Sequence, residues 1–172
     1  FIKAQSDNEI IFTRNTTEAI NLVAQSWGRS HLQAGDEILI TEMEHHANIV
    51  PWVMIAEATG AVVKYIPVLD DGRLDTAAIE SLVTDKTKLF ACTHISNAIG
   101  VVNDVHALIL KIKAANSNVV TLIDASQSIV HRAIDVQALG ADFIVFTGHK
   151  LYGPSGIGVL WGHEDLLNTM PP

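Results

Sequence analysis

The fold this sequence predicts is an α/β three-layer sandwich: a mostly parallel sheet of seven strands with helices on both faces. Three observations predict it. Short β-branched runs alternate with apolar patterns at helical spacing, the strand–helix–strand order of a parallel sheet. Several of the strand-like runs are apolar throughout instead of alternating, as strands covered on both faces are. The 172 residues, 48% of them apolar, suffice for one domain with a sizeable core.

The first strand is expected at "EIIFT" (9–13), followed by a helix through "TEAINLVAQSWG" (17–28) with Thr17 as a candidate N-cap. "DEILIT" (36–41) is the second strand. The helix after it, "NIVPWVMIAEATG" (48–60), has Asn48 as a candidate N-cap, tolerates Pro51 in its first turn and stops at Gly60. "AVVKYIPV" (61–68) is the third strand; "DDGR" (70–73) is a turn, and "DTAAIESLV" (75–83) is helical. "KLFACT" (88–93), the helix "HALILKIKAANS" (106–117) and "VVTLID" (119–124) follow. "DFIVFT" (142–147) and "GIGVLW" (156–161) complete the sheet, ahead of a helix-like stretch before "NTMPP". No repeat, low-complexity tract or linker interrupts this order. Because residue 1 is Phe and the chain stops directly after a helix-like stretch, it reads as a piece of a longer protein.

Composition removes several function classes. Eleven Lys and Arg against 19 Asp and Glu give a net charge of −8, so nothing supplies the basic stripe a nucleic-acid backbone needs. No apolar run approaches the ~20 residues of a membrane span. The opening "FIKAQSDNEI" lacks the basic-then-apolar order of a signal peptide, and a cytoplasmic location is expected. One cysteine, Cys92, cannot form an internal disulfide; it lies inside a strand-like run, where a buried, inert thiol is expected. Eight histidines invite a metal, yet there is no H-E-x-x-H and no cysteine pair, so no metal site is expected. "GPSGIG" (153–158) precedes a strand and is not the G-x-G-x-x-G order, and no G-x-x-x-x-G-K-[ST] occurs, so neither nucleotide fingerprint is present.

In open parallel sheets, ligands bind outside the carboxyl ends of the strands. The residues that follow the strands here are "RNTTE", "EMEHHAN", "HISN", "ASQS" and "GHKLYGP". Together with the last residues of the strands, they bring Thr16, Thr17, His45, Asn97, Asp124, Gln127, Thr147, His149 and Lys150 to one rim. A lysine becomes a nucleophile when desolvation or a cationic neighbour lowers its pKa, and its usual target is an aldehyde. Pyridoxal 5′-phosphate (PLP) is the aldehyde cofactor whose other needs match. Its phosphate needs a helix N-terminus with hydroxyls, which Thr16 and Thr17 offer, though they also read as a capping box. Its ring nitrogen needs a carboxylate: Asp124 has that type and place, and could equally cap the next segment. His45 could stack on the ring or be structural; Asn97 and Gln127 are candidate donors to the ring oxygen.

Across all 172 residues the sequence resembles the PLP-dependent cysteine desulfurases of the class V aminotransferase group. The branch it resembles includes the sulfur-mobilising, cysteine-sulfinate desulfinase and selenocysteine lyase types. The likeness rests on "TTEAINLVAQSWG", "EHHANIVPW", "DVQALGADF" and above all "GHKLYGPSGIGVLWG". It implies a PLP-dependent transferase large domain over 1–172, with an N-terminal segment and a C-terminal small domain outside this chain. It implies Lys150 as the Schiff-base lysine and base, Asp124 as the pyridinium partner, His45 as the stacking residue and Gln127 as the partner of the ring oxygen. Thr17, Thr147 and His149 match phosphate contacts, and Asn97 lies where the family places a residue near ring oxygen and substrate. Asn15 and "DASQ" depart from the commoner glycine and "DGAQ". The implied reaction takes sulfur from L-cysteine, leaving alanine, through a persulfide on a cysteine outside this chain. A homodimer and a sulfur-acceptor protein are the implied partners, and the chain alone is expected to be inactive. A selenocysteine lyase, another class V activity and a non-catalytic interaction module are the alternatives.

Overall fold

The computed structural model describes residues 1–171; Pro172, the last residue of the expected domain, lies outside the described residues. Seven strands form one sheet: β1 Ile10–Thr13, β2 Glu37–Thr41, β3 Val62–Ile66, β4 Thr87–Thr93, β5 Val120–Asp124, β6 Phe143–Thr147 and β7 Gly158–Gly162. Their spatial order is β1-β7-β6-β5-β4-β2-β3. Strands β2 to β6 pair in parallel, and β7 runs against both β6 and β1. Reversing twice restores direction, so β1 points the same way as the parallel strands and its carboxyl end joins theirs on one rim. The order of the chain through the sheet reverses between β2 and β4, the kind of switch point beside which ligands bind in such sheets.

Alternate residues of each strand feed two apolar layers. Ile38, Ile40, Leu122 and Val145 pack against Ala19, Ile20, Val23 and Trp27, and against Trp52 and Ile55, on one face. Leu39, Phe90, Ile123 and Ile144 pack against Val105, Leu108, Ile109 and Ile112 on the other. The expected three-layer sandwich is thus present, its central strands β2 and β6 buried along their whole length.

The helices depart from expectation at their ends. α1 spans Thr16–Val23 and continues as a wider π turn over Ala24–Gly28 before α2, Arg29–His31. Its cap is Asn15, whose side chain accepts from Glu18 N, so Thr17 is not the N-cap: it already lies inside the first turn. α3 covers Val50–Thr59, with Pro51 in its first turn and Gly60 closing it at φ 79°. Asn48 does not cap it either; it ends a 3-10 turn, His46–Asn48, and its side-chain amide is held by Glu44 and Trp52. Only Ile79–Leu82 (α4) of the stretch expected to be helical at 75–83 is helical, because the Asp75 carboxylate accepts from Ala77 N and Ala78 N and holds a turn there. α5 is Val105–Ala115; α6 Ser128–His131 and α7 Val136–Leu139 are single turns too short for a periodic signal, and α8 is Glu164–Leu167. No helix among the described residues is long and apolar enough to cross a membrane.

Candidate active site

At the carboxyl rim of the sheet, a cleft of about 230 Å3 opens over β4, β5 and β6. All nine rim residues expected from the sequence line it: Thr16 and Thr17 from the start of α1, His45 after β2, Asn97 after β4, Asp124 and Gln127 at and after β5, and Thr147, His149 and Lys150 at and after β6. Asn15, Ala47, Thr93, Ile95 and Ser126 complete the lining.

The floor of the cleft is Asp124, the last residue of β5 and 5% exposed. Its register partners are Thr93 of β4 and Val145 of β6, so strands flank it on both sides and it is open only towards the cleft. Burial pushes its carboxyl up; the Ser126 N–H, which donates to Oδ1 at 2.8 Å, and the positive charges of Lys150 and His45 oppose that. A buried anion with one backbone donor has oxygen lone pairs left over for a cationic N–H in the cleft. Lys150 ends the 3-10 turn Gly148–Lys150 directly after β6 and is half-buried. Carboxylate and amine therefore reach one cavity from neighbouring strands.

The other end of the cleft suits an anion. Asn15 caps α1 by accepting from Glu18 N at 2.9 Å, leaving the first N–H groups of the helix, on Thr16 and Thr17, as the ones such a terminus offers to a phosphate. Facing them, Thr147 Oγ1 and His149 Nδ1 are hydrogen-bonded at 3.0 Å. Thr16 Oγ1 and Ser126 Oγ share a buried hydrogen bond of 2.7 Å that ties the helix to the loop after Asp124. The glycines after Lys150 have two uses. Gly156 takes φ +90° in the turn, and Gly158, paired with both Thr13 and Thr147, passes so close to α1 that a Cβ there would lie 2.5 Å from the Asn15 backbone. His45 stands exposed at the lip, its Nδ1 accepting from Ala47 N at 3.1 Å, which leaves Nε2 to carry the proton of the neutral ring.

Two groups here were missed from the sequence. Ser126, in "DASQ", adds a hydroxyl beside the carboxylate and was foreseeable from its place two residues after Asp124. Glu44 carries no such signal, since it reads as one more acid in an acidic chain. It is 8% exposed and accepts from Thr41 Oγ1, Asn48 Nδ2 and Thr93 N, while burial pushes it up to about 7, with the Asp124 charge adding to that. Among the described residues, no group of three or more His, Cys, Asp and Glu is placed to hold a metal ion.

A lysine and a buried carboxylate across one cleft, with an anion cradle at its end, on a seven-stranded sheet of this order, define the fold of the pyridoxal-phosphate-dependent transferases. Within that class, the chain belongs to the class-V aminotransferase family, whose model matches residues 1–172. It is 58% identical over 172 residues to a cysteine desulfurase of Pectobacterium atrosepticum, covering 100% of this chain and 42% of that protein. The solved cysteine desulfurase CsdA of Escherichia coli, an S-sulfonic acid form, superposes with TM-score 0.95 at 43% identity, over 99% of this chain and 42% of that one. A C-DES variant with glycine covalently linked to the PLP cofactor superposes with TM-score 0.86 at 29% identity, over 97% of this chain and 44% of that one. The chain thus spans 41–42% of the length of the curated relatives it matches.

Proposed function

We propose that residues 1–172 are the large, cofactor-binding domain of a PLP-dependent cysteine desulfurase, acting on L-cysteine. One observation carries the reading: Lys150 and the buried Asp124 line the same cleft, whose far end is built for an anion. The donor set fits the cofactor, with an amine for its aldehyde, a carboxylate for its ring nitrogen and a helix terminus with Thr17, Thr147 and His149 for its phosphate. Bound there, PLP supplies an electrophilic aldehyde and a ring that draws electrons from the substrate's α-carbon.

The chain's own residues divide the remaining work. Asp124, shielded from water, keeps a proton on the ring nitrogen. Lys150 would take the α-proton at Nζ and return it. His45 would cover the ring and could pass a proton at Nε2; Asn97 and Gln127 would orient the ring oxygen and the substrate. The carbon–sulfur bond breaks, the carbon skeleton leaves as alanine and the sulfur passes to a thiol as a persulfide. That thiol is not Cys92, which is 0% exposed inside β4, its acidity suppressed by burial and by the charges of Glu44 and Asp124. The names of the relatives support cysteine as substrate.

Titration of the chain with PLP, followed by absorbance, tests the reading. A visible band that forms with PLP and shifts on addition of L-cysteine, both lost in Lys150→Ala, is expected. No band, or a band indifferent to Lys150, contradicts it.

A further inference from the structure

Glu44 lies behind the cleft and takes no part in the chemistry above. It follows β2, and it bonds across the switch point of the sheet to the backbone N–H of Thr93, the residue of β4 in register with Asp124. Its Oε1 accepts from Thr93 N at 2.9 Å and from Thr41 Oγ1; its Oε2 accepts from Asn48 Nδ2 at 2.7 Å. Asn48 in turn accepts at Oδ1 from Trp52 Nε1 at 2.9 Å. Trp52, Asn48 and Thr41 are all 0% exposed, so no water can substitute for a lost partner.

This chain of hydrogen bonds has a direction. An indole N–H only donates, so Asn48 must turn its oxygen to Trp52 and its NH2 to Glu44. The Thr93 N–H also only donates. Position 44 therefore has to accept on both of its oxygens, and a glutamine there would set N–H against N–H whichever way it turned. Between Glu44 and Asn48 runs the 3-10 turn that His45 opens, with Ala47 N on His45 Nδ1 and Asn48 N on His45 O at 2.7 Å.

We propose that Glu44 is a positioning residue: accepting from both sides, it pins the His45 turn to the end of β4, and so holds the His45 ring at the lip of the cleft whose floor is Asp124. Its effect on cofactor affinity rests on the PLP reading; its effect on the turn does not.

Amide hydrogen exchange in the cofactor-free chain tests the turn. Glu44→Gln is expected to speed exchange at Ala47, Asn48 and Ile49 by about tenfold or more, with the β5 amides unchanged. The double variant Glu44→Gln with Asn48→Asp repairs the donor–acceptor match. The new carboxylate at position 48 would accept both from the introduced amide NH2 and from Trp52 Nε1, while the introduced amide oxygen accepts from Thr93 N. Exchange is then expected to return to within about threefold of native. The PLP dissociation constant is expected to follow the same pattern, rising about tenfold in the single variant and recovering in the double. Native exchange in Glu44→Gln, or a double variant no better than the single, overturns the inference. Should Glu44→Gln fail to fold, a folded double variant upholds it and an unfolded one overturns it. A native chain that takes up no PLP contradicts the proposed function and leaves the exchange result to decide the role of Glu44.

Discussion

At the scale of single residues, the account depends on what burial does to acids. Asp124 is kept from water so that its charge acts on a cationic partner in the cleft. Removing that charge in Asp124→Asn is expected to weaken PLP binding by about 10- to 100-fold, the range for a hydrogen bond to a charged group, measured by equilibrium titration. Glu44 gives a pH signature. Its pKa rises from 4.5 to about 7 on folding, so between those values the folded state holds a proton the unfolded chain has lost. Its contribution to stability is greatest below 4.5 and falls as pH rises to about 7, by about 3 kcal/mol across that window. In thermal melts the stability difference between the native chain and Glu44→Gln should therefore shift towards the variant as pH rises; a constant difference from pH 4.5 to 7 would contradict the linkage. Cys92, sealed in β4, is expected to resist alkylation in the folded chain and to react only in denaturant.

At the scale of elements, the site is assembled by close approach of strand ends. β7 passes beneath the cap of α1 at Gly158, where a Cβ would lie 2.5 Å from both the Cα and the carbonyl carbon of Asn15. Gly158→Ala should destabilise the chain by about 1–3 kcal/mol in denaturant melts and weaken PLP binding as well, because the helix terminus is displaced. The strands were legible because a buried parallel strand is a continuous apolar run, and "VVTLID" and "DFIVFT" end where β5 and β6 end. Most rim residues were legible for the same reason, since they end or follow such a run; Thr16 and Thr17 instead follow β1, a partly exposed antiparallel edge strand. Helix ends were harder to read. Thr17 has the residue type of a cap, and only the backbone shows that Asn15 takes that place; α6 and α7, one turn each, are too short to show a period. Glu44 was invisible because its importance lies in partners from β2, β4 and the turn before α3, which sequence spacing does not join.

At the scale of the whole molecule, the cleft contains the groups proposed to hold PLP and, among the described residues, lacks two that would complete the proposed reaction. Among the described residues no arginine lines it to grip a substrate carboxylate, and the one thiol of the chain is buried. We therefore expect the 172-residue chain to take up PLP yet form alanine from L-cysteine about 100-fold or more slowly than a full-length relative, since an unanchored substrate is poorly oriented. Alanine assays on the two proteins side by side would check this.

The central claim is that Lys150 shares one cavity with Asp124 and is the amine that meets the cofactor. Borohydride reduction of the PLP-treated chain, followed by peptide mass mapping, tests it most directly. A single pyridoxyl mass on the peptide containing Lys150, absent from Lys150→Ala, is the predicted result; a mass spread over other lysines, or none on Lys150, would contradict it.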